Sequence, residues 1–310
     1  MDTTVLITGG TGLIGKALTS KLIGKGYKII ILTRKTMSED KDGISYAQWN
    51  IEKNEIDIEA LTKADYIIHL AGAGVMDKKW TDEYRNEIVQ SRTRSSELLI
   101  RSLNETNNKV QAVISSSAIG WYGKDNQPLI RPGGFIESDP PDEGFLGETC
   151  RLWEASITPV TKMDKRLVII RTGIVLSNDG GAYPEFRKSL QFGIASILGS
   201  GKQIISWIHI DDLCNMFIYA LEKEALQGVY NAVAPTPVNN KKLILKLATR
   251  IRKSFFIPIH IPSFMLKTIL GERSIEILKS TSVKSIKIQE AGFNFMYPTI
   301  DIALDDLCKS

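Results

Sequence analysis

The glycine-rich segment at residues 8–15, TGGTGLIG, is the feature that most restricts the fold of this chain. It follows an apolar run at residues 5–7 and opens a helical pattern of apolar residues at 17–23. Gly9 permits a tight turn, Gly12 lets the backbone approach a pyrophosphate, and Gly15 lets the helix pack closely on the strand. The free N–H groups at the start of such a helix attract phosphates. The segment therefore predicts a dinucleotide site; the alternative is a glycine-rich turn without a ligand.

Short apolar runs alternate with helical patterns along the first half of the chain. Strands are predicted at 5–8, 28–33, 44–49, 66–70, 112–116 and 167–171, and helices at 82–103 and 148–161. Strands this apolar have no face suited to water, so they indicate a parallel sheet covered on both sides. The predicted fold class is α/β, with a Rossmann-type doubly wound parallel sheet and a smaller, mostly helical C-terminal lobe for substrate.

The second predicted strand ends in two basic residues, Arg34 and Lys35. An NAD site usually places a carboxylate at this point, which accepts hydrogen bonds from the ribose 2′-OH and would repel a 2′-phosphate. A guanidinium can instead pair with that phosphate and stack on the adenine. We therefore predict NADP(H) as the cofactor. The alternative is that both residues simply face water at a strand end.

The second half of the chain is less regular than the first. Proline and glycine residues punctuate a stretch near 184–201 that we predict to be rich in loops. Helices are predicted at 211–221, with Asp211 or Asp212 as its cap, and at 239–252. We expect an NADP-binding domain at residues 1–175, to which segments around 205–235 return. Residues 176–310 are expected to form a smaller substrate lobe over the strand ends.

Composition excludes several classes of protein. The 310-residue chain has a net charge of only +4 and no concentrated basic stripe, which argues against nucleic acid as a partner. Its three cysteines and three histidines are too dispersed for a disulfide framework or a metal site. No apolar run approaches the length of a membrane span, and the first residues lead straight into a strand. These features predict a cytoplasmic protein without a metal or a membrane anchor.

Several motifs resemble those of the extended short-chain dehydrogenases/reductases. They are the segments TGGTGLIG at 8–15, HLAG at 69–72, SSSA at 115–118, RTGIVL at 171–176 and WIHIDDL at 207–213. A closer resemblance is to one atypical subgroup, the "epimerase family" proteins. It is seen in KWT at 79–81, IVQSR at 88–92, GWYG at 120–123, NDGG at 178–181, LGE at 270–272 and EAGF at 290–293. The resemblance covers essentially the full chain and includes a C-terminal tail at about 255–303.

The resemblance implies a set of cofactor contacts and a class of substrate. The implied contacts are Thr11, Leu13, Ile14, Arg34, Leu70, Ala71 and Gly72, with Glu87 and Arg92 reaching the cofactor from the helix after the fourth strand. The predicted cofactor site also includes Gly9, Gly12, Gly15, Lys35 and Ser115. On sequence alone, Glu87 and Arg92 are equally well explained as surface charges of an amphipathic helix. The substrate would be a small molecule, and a homodimer would be in keeping with the family.

The catalytic pair of the family is missing from this chain. Active members use a Tyr-x-x-x-Lys pair, but this chain has Phe145 and Thr149 at those positions. Neither can act as a proton donor tuned by a neighbouring charge. The best candidates to replace them are Ser117, at the position of the family serine, and Tyr122, in a glycine-flanked turn just after it. Each could equally be structural, Ser117 satisfying backbone groups and Tyr122 packing.

Other candidates for the chemistry carry less weight. Glu148 and Glu154 lie on the helix that would have carried the pair, and Glu154 is better explained as a helix-surface or helix-cap partner. His209 is typically structural in its motif. Tyr219 and Lys223 have the right spacing but follow the wrong element, so we interpret them as a coincidence.

Two functions fit these observations. The first is an NADP(H)-dependent oxidoreductase or epimerase that acts on a nucleotide sugar or a similar polyhydroxylated molecule with a non-standard active site. The second is a catalytically weak or inactive NADP(H)-binding sensor or scaffold, which would keep the glycines and lose the catalytic pair. The fold itself does not decide between them.

Overall fold

The computed structural model describes residues 3–34, 43–125, 134–253 and 255–309. Its strands, in chain order, are β1 Thr4–Thr8, β2 Lys28–Thr33, β3 Ile44–Asn50, β4 Glu55–Ile56, β5 Tyr66–His69, β6 Ala112–Ala118, β7 Arg166–Thr172, β8 Ile174–Ser177, β9 Gly180–Gly181, β10 Ile194–Leu198, β11 Ile204–Ile205, β12 Trp207–His209, β13 Gly228–Ala232, β14 Val238–Asn239 and β15 Ile257–Ile261. The central sheet has the order β13-β7-β6-β5-β1-β2-β3-β4. Its pairs are parallel except that of β3 with β4.

Helices cover the sheet and also occur, between short strands, in the second half of the chain. They are α1 Leu13–Gly24, α2 Ile58–Lys63, α3 Asp82–Glu105, α4 Phe145–Ile157, α5 Ala182–Lys188, α6 Ile210–Glu222, α7 Asn240–Arg252, α8 Ser263–Leu270, α9 Ser274–Leu278, α10 Ile286–Glu290 and α11 Ile300–Leu307. Short 3-10 segments lie at Ile119–Trp121, Thr158–Met163, Ser189–Phe192 and Gly271–Arg273. Within the described residues, no helix is long and apolar enough to span a bilayer.

The sheet is apolar on both faces, as its sequence requires. Ile7 of β1 lies in the core layer that includes Leu18 of α1 and Phe217 of α6. Its neighbour Leu6 lies in the opposite layer with Leu99 of α3. Successive strand residues point to opposite faces, so an unbroken apolar run fills both layers. This confirms the predicted doubly wound α/β fold. The strand order reverses between β1 and β5, which places a ligand crevice at their carboxyl ends.

The predicted elements of the first half agree closely with the structure. Each of the first six predicted strands is found within two residues at either end. The stretch near 184–201, which was expected to be rich in loops, instead includes α5 and β10. The second half also contains small strand pairs, β10 with β15 and β11 with β14, beside its helices.

The predicted cap of α6 is wrong. Its N-cap is His209, whose Nδ1 accepts a hydrogen bond from the backbone N–H of Asp211 at 3.2 Å. Asp212 lies in the first helical turn but turns inward and is fully buried. Its two carboxylate oxygens accept hydrogen bonds from the backbone N–H groups of Met296 and Tyr297, at 2.8 and 2.9 Å. This carboxylate therefore fastens the C-terminal segment to α6.

Candidate cofactor site and crevice

The glycine-rich segment forms a tight passage from β1 into α1. Gly9 has a φ of +69°, and a Cβ there would lie 2.9 Å from the backbone of Leu70. At Gly15 a Cβ would lie 2.4 Å from the carbonyl oxygen of Gly9. The N-cap of α1 is Gly12, and no side chain caps the helix and no acidic residue lies in its first turn. These N–H groups are thus available to an anion, and the geometry fits a bound pyrophosphate.

A buried hydrogen-bond chain positions the loop that follows β5. The hydroxyl of Thr8 accepts hydrogen bonds from the backbone N–H groups of Leu70 and Ala71, at 3.1 and 3.2 Å. With both lone pairs used, it donates its proton to Nδ1 of His69 at 2.8 Å. The Nε2–H of His69 then faces the hydroxyl of Ser96 at 3.1 Å. The ring is therefore neutral, and burial lowers the pKa of His69 to about 4.

The structure places Arg34, one of the two basic residues predicted to meet the 2′-phosphate, at the edge of this site. Arg34 directly follows β2 and is exposed. Because β1 and β2 are parallel neighbours, its backbone lies at the same edge of the sheet as the glycine-rich turn. Thr11 is also exposed on that turn. Lys35 lies outside the described residues.

Two other predicted contacts, Arg92 and Glu87, are engaged with the protein itself. Arg92 is largely buried behind Gly72, donates to the carbonyl oxygen of Ala73 at 3.0 Å and stacks over Trp153 at 4.9 Å. Burial lowers its pKa. Glu87 is half exposed and pairs with Lys78 at 2.9 Å.

Two further buried hydroxyls, those of Ser115 and Thr172, belong to the strands β6 and β7. Ser115 is fully buried within β6, and its hydroxyl donates to the neighbouring carbonyl oxygen of Ser116 at 3.3 Å. At the end of β7, the buried hydroxyl of Thr172 has no hydrogen-bond partner among the described residues. Thr172 pairs with Ala118 at the end of β6, so this unpartnered hydroxyl lies at the carboxyl ends of the two strands.

Ser117 belongs to a buried polar network that the sequence did not reveal. Its hydroxyl donates to Oε1 of Glu154 at 2.6 Å. The same carboxylate accepts hydrogen bonds from Nε and Nη2 of Arg171, at 2.7 and 2.9 Å. Ser117 and Arg171 are 1% and 2% exposed, so this network lies beneath the crevice and not on its surface.

Tyr122 joins the same network from the other side. Its hydroxyl accepts from Nη1 of Arg171 at 2.9 Å and donates to Oδ1 of Asn231 at 2.7 Å. The ring is completely buried and stacks on Phe135 at 5.0 Å. Burial is the main cause that raises the pKa of Tyr122 to about 12. The phenol is therefore protonated at neutral pH and engaged on both sides.

The positions of the missing catalytic pair have different environments. Thr149 is buried and donates its hydroxyl to the carbonyl oxygen of Phe145 at 2.6 Å. Phe145 lines a cavity of about 490 Å³, which we call the Phe145 cavity. Its walls include Trp80, Arg85, Lys124, Phe145, Glu276 and Lys279.

The charged residues of the Phe145 cavity are the functional candidates that the sequence did not single out. Arg85 comes from α3, Lys124 follows β6, and Glu276 and Lys279 come from the C-terminal tail. They lie far apart in the chain. The sequence signal that could have indicated this cavity was the pair of segments KWT at 79–81 and LGE at 270–272. Trp80 of the first lines the cavity, and Glu272 of the second pairs with Arg85 in its wall.

A further charged cluster lies beside α6. His209, Asp211 and Asp306 each offer one potential metal-ligand atom, a ring nitrogen or a carboxylate oxygen, and these three atoms lie within 4.8 Å of one another. Asp211 is already paired with Lys21 at 2.9 Å, and the ring of His209 stacks on Tyr297 at 3.8 Å. These contacts join the start of α6 to α1 and to the C-terminal segment.

The fold and the glycine-rich turn define a Rossmann-type dinucleotide-binding protein of the extended short-chain dehydrogenase/reductase class. Residues 5–145 match the NAD dependent epimerase/dehydratase family, and residues 261–307 match a domain of unknown function, DUF1731. An epimerase family protein of Staphylococcus saprophyticus is 35% identical over 97% of this chain and 98% of its own length. One from Staphylococcus aureus is 33% identical over 98% of both chains. The chain belongs to the epimerase family.

Solved structures agree with this assignment. The human epimerase family protein SDR39U1, crystallised with NADPH, has a TM-score of 0.86 and 25% identity over 99% of this chain and 100% of its own. A nucleoside-diphosphate sugar epimerase from Corynebacterium glutamicum has a TM-score of 0.77 and 29% identity, and the match covers 99% of this chain and 58% of that one. The predicted family is confirmed, and a nicotinamide dinucleotide cofactor is confirmed at the level of the family.

Proposed function

We propose that this protein binds NADP(H) across the carboxyl ends of β1, β2 and β5. The observation that carries the proposal is the uncapped start of α1, which lies at the same sheet edge as Arg34. The first-turn N–H groups of Leu13 and Ile14 would hold the pyrophosphate, and Arg34 would pair with the 2′-phosphate. The NADPH in the crystals of the human relative supports this choice of cofactor.

We further propose oxidoreductase or epimerase chemistry on a nucleotide sugar or a similar polyhydroxylated molecule. A bound nicotinamide donates or accepts a hydride. The name of the Corynebacterium relative supports this class of substrate. The crevice in front of Phe145 lies beside the end of β6, where the family holds its reacting groups.

The geometry favours positioning roles for Ser117 and Tyr122. Both are buried, and both hydroxyls already donate to protein acceptors, Glu154 and Asn231. The raised pKa of Tyr122 further disfavours it as a base near neutral pH. We infer that these residues hold the end of β6 in place and that any acid or base is one of the charged groups that line the Phe145 cavity, such as Glu276.

The second candidate function is an NADP(H)-binding sensor or scaffold with little catalysis. The observation that favours it is Phe145, which places an aromatic ring without a transferable proton where the family has its tyrosine. In that case the protein would keep its fold and its bound cofactor but would not convert any substrate.

The thiols of the chain support a reducing, cytoplasmic location. Cys150, Cys214 and Cys308 are free. Burial raises the pKa of Cys150 to about 11 and that of Cys214 to about 12, so both are unreactive near neutral pH.

A hydride-exchange experiment separates the two functions. The protein is loaded with NADPH or NADP⁺, mixed with a panel of nucleotide sugars and small carbonyl compounds, and followed by absorbance of the reduced nicotinamide. We expect a substrate-dependent change that Glu276→Gln abolishes without altering NADPH affinity. Glu290→Gln, an exposed change away from the Phe145 cavity, is the matched control. Tight NADPH binding without exchange across the panel would favour the sensor, and absence of NADPH binding would reject both.

A further inference from the structure

The Phe145 cavity has one aromatic wall with a fixed geometry. The rings of Trp80 and Phe145 meet edge to face, with centroids 5.0 Å apart. The indole Nε1 donates to the carbonyl oxygen of Val75 at 2.7 Å, which fixes the orientation of Trp80. The guanidinium of Arg85 lies 5.2 Å from the centre of Phe145 and 5.9 Å from that of Trp80. An apolar surface and a cation therefore stand side by side.

The cations of the cavity are not equally compensated. Arg85 pairs through Nη2 with Glu272, but its Nε is buried and has no acceptor among the described residues. Lys279 pairs with Glu276 at 2.9 Å. Lys124 is exposed and forms no ion pair with any residue that the structure describes.

The acids of the cavity already have partners. Glu276 holds Lys279, as described, and Oδ2 of Asp142 accepts the backbone N–H of Gly144 at 3.1 Å. Lys279 also donates to the carbonyl oxygen of Tyr122 at 3.0 Å. Positive charge thus remains at Lys124, and an unused N–H donor remains at Nε of Arg85; both residues line the Phe145 cavity.

We propose that the Phe145 cavity binds a small organic acid, with its carboxylate or phosphate between Arg85 and Lys124 and a flat apolar group against Phe145 and Trp80. A guanidinium and an ammonium suit either anion, and charge-assisted hydrogen bonds are the strong ones. The aromatic wall supplies apolar contact area. The inference rests on the proposed function only in placing this ligand beside the cofactor.

The KWT segment at 79–81 and the LGE segment at 270–272 both lie outside the glycine-rich turn. In the fold they meet, because Glu272 pairs with Arg85 and the adjacent Arg273 donates to the carbonyl oxygen of Met76 at 2.7 Å. The C-terminal tail therefore completes a cavity that the Rossmann domain alone would leave open.

Calorimetric titration with simple probes tests the proposal. The NADPH-loaded protein is titrated with phenylacetate, phenyl phosphate and the neutral phenylacetamide, and the protein without cofactor is titrated in parallel. We expect at least one anion to bind at least tenfold more tightly than the amide. Lys124→Gln should weaken that anion about tenfold and leave the amide unchanged, whereas Lys124→Arg should retain it. Lys188→Gln, an exposed lysine on α5, is the control.

Each outcome decides the proposal. Equal affinities for anion and amide, unchanged anion affinity in Lys124→Gln, or no binding of either anion would overturn it. Preference for phenylacetate would identify a carboxylate ligand, and preference for phenyl phosphate a phosphate. NADPH binding is measured separately, so a protein that binds an anion but not NADPH would reject the cofactor proposal and retain the cavity.

Discussion

Arg171 and Glu154 form a bidentate ion pair inside the protein, with nitrogen–oxygen distances of 2.7 and 2.9 Å. Their side chains are 2% and 9% exposed. Arg171 lies in β7 and Glu154 in α4, so the pair ties a strand of the central sheet to the helix beside it. Ser117 and Tyr122 are held by the same two residues.

Removing one partner of this pair should destabilise the fold strongly. Glu154→Ala leaves the buried guanidinium without its counter-charge, which typically costs about 3–5 kcal/mol of folding free energy. Urea unfolding would measure the loss. Glu148→Ala, on the same helix but in an exposed pair with Arg151, should change stability little. Equal effects of the two substitutions would contradict the buried network.

Stability should fall as the pH is lowered from 7 toward 4, through His69. The neutral ring is required by its bonds to Thr8 and Ser96, and burial lowers its pKa to about 4. The unfolded chain takes up the proton near pH 6.5, so the stabilisation is complete above that pH and is lost as the pH falls through 4. The full shift corresponds to about 3 kcal/mol.

The measurement is urea unfolding at pH 7 and 4.5 for the native chain and two variants. His69→Asn should show a smaller loss on acidification, because it cannot titrate. His260→Gln changes an exposed histidine and should keep the loss of the native chain. A loss that is identical in both variants would assign the pH dependence to other groups.

Gly15→Ala should abolish tight NADPH binding. Its new Cβ would lie 2.4 Å from the carbonyl oxygen of Gly9, so the turn must open and the N–H groups of α1 must move. Gly24→Ala, in the last position of the same helix, meets nothing within 4 Å and should bind NADPH normally. Fluorescence titration with NADPH checks both, and circular dichroism shows whether Gly15→Ala remains folded.

Arg34→Ala should weaken NADPH binding at least tenfold while leaving NADH binding nearly unchanged. Its guanidinium is expected to pair with the 2′-phosphate, which NADH lacks. The same titration with both dinucleotides provides the measurement. Lys28→Ala, at the opposite end of β2, should affect neither. A parallel loss for the two cofactors would remove the basis for preferring NADP(H).

The sheet was predictable because each of its main strands can be recognised from its own short stretch of sequence. The runs at 5–8 and 28–33 are too apolar for a wet face, and the glycine-rich turn fixes the order of strand, turn and helix. The cap of α6 was not predictable, since aspartate is the commoner N-cap and only the fold shows that Asp212 is needed to hold residues 296 and 297.

The polar network around Ser117 could not be derived from sequence because parallel pairing joins distant segments. Ser117 and Arg171 are register partners in neighbouring strands, and Glu154 reaches them from a helix. One signal was present: an arginine that closes an apolar strand must have a buried partner. The identity of that partner depends on tertiary packing, as does the meeting of Arg85 with the tail.

The buried carboxylate of Asp212 has a consequence for synthesis of the chain. Its two backbone donors come from Met296 and Tyr297, 84 and 85 residues later. Until these residues leave the ribosome, the start of α6 carries a charge that it cannot bury without a large penalty. We therefore expect α6 to complete its packing against the nucleotide-binding layer only after residues 296 and 297 have been synthesised.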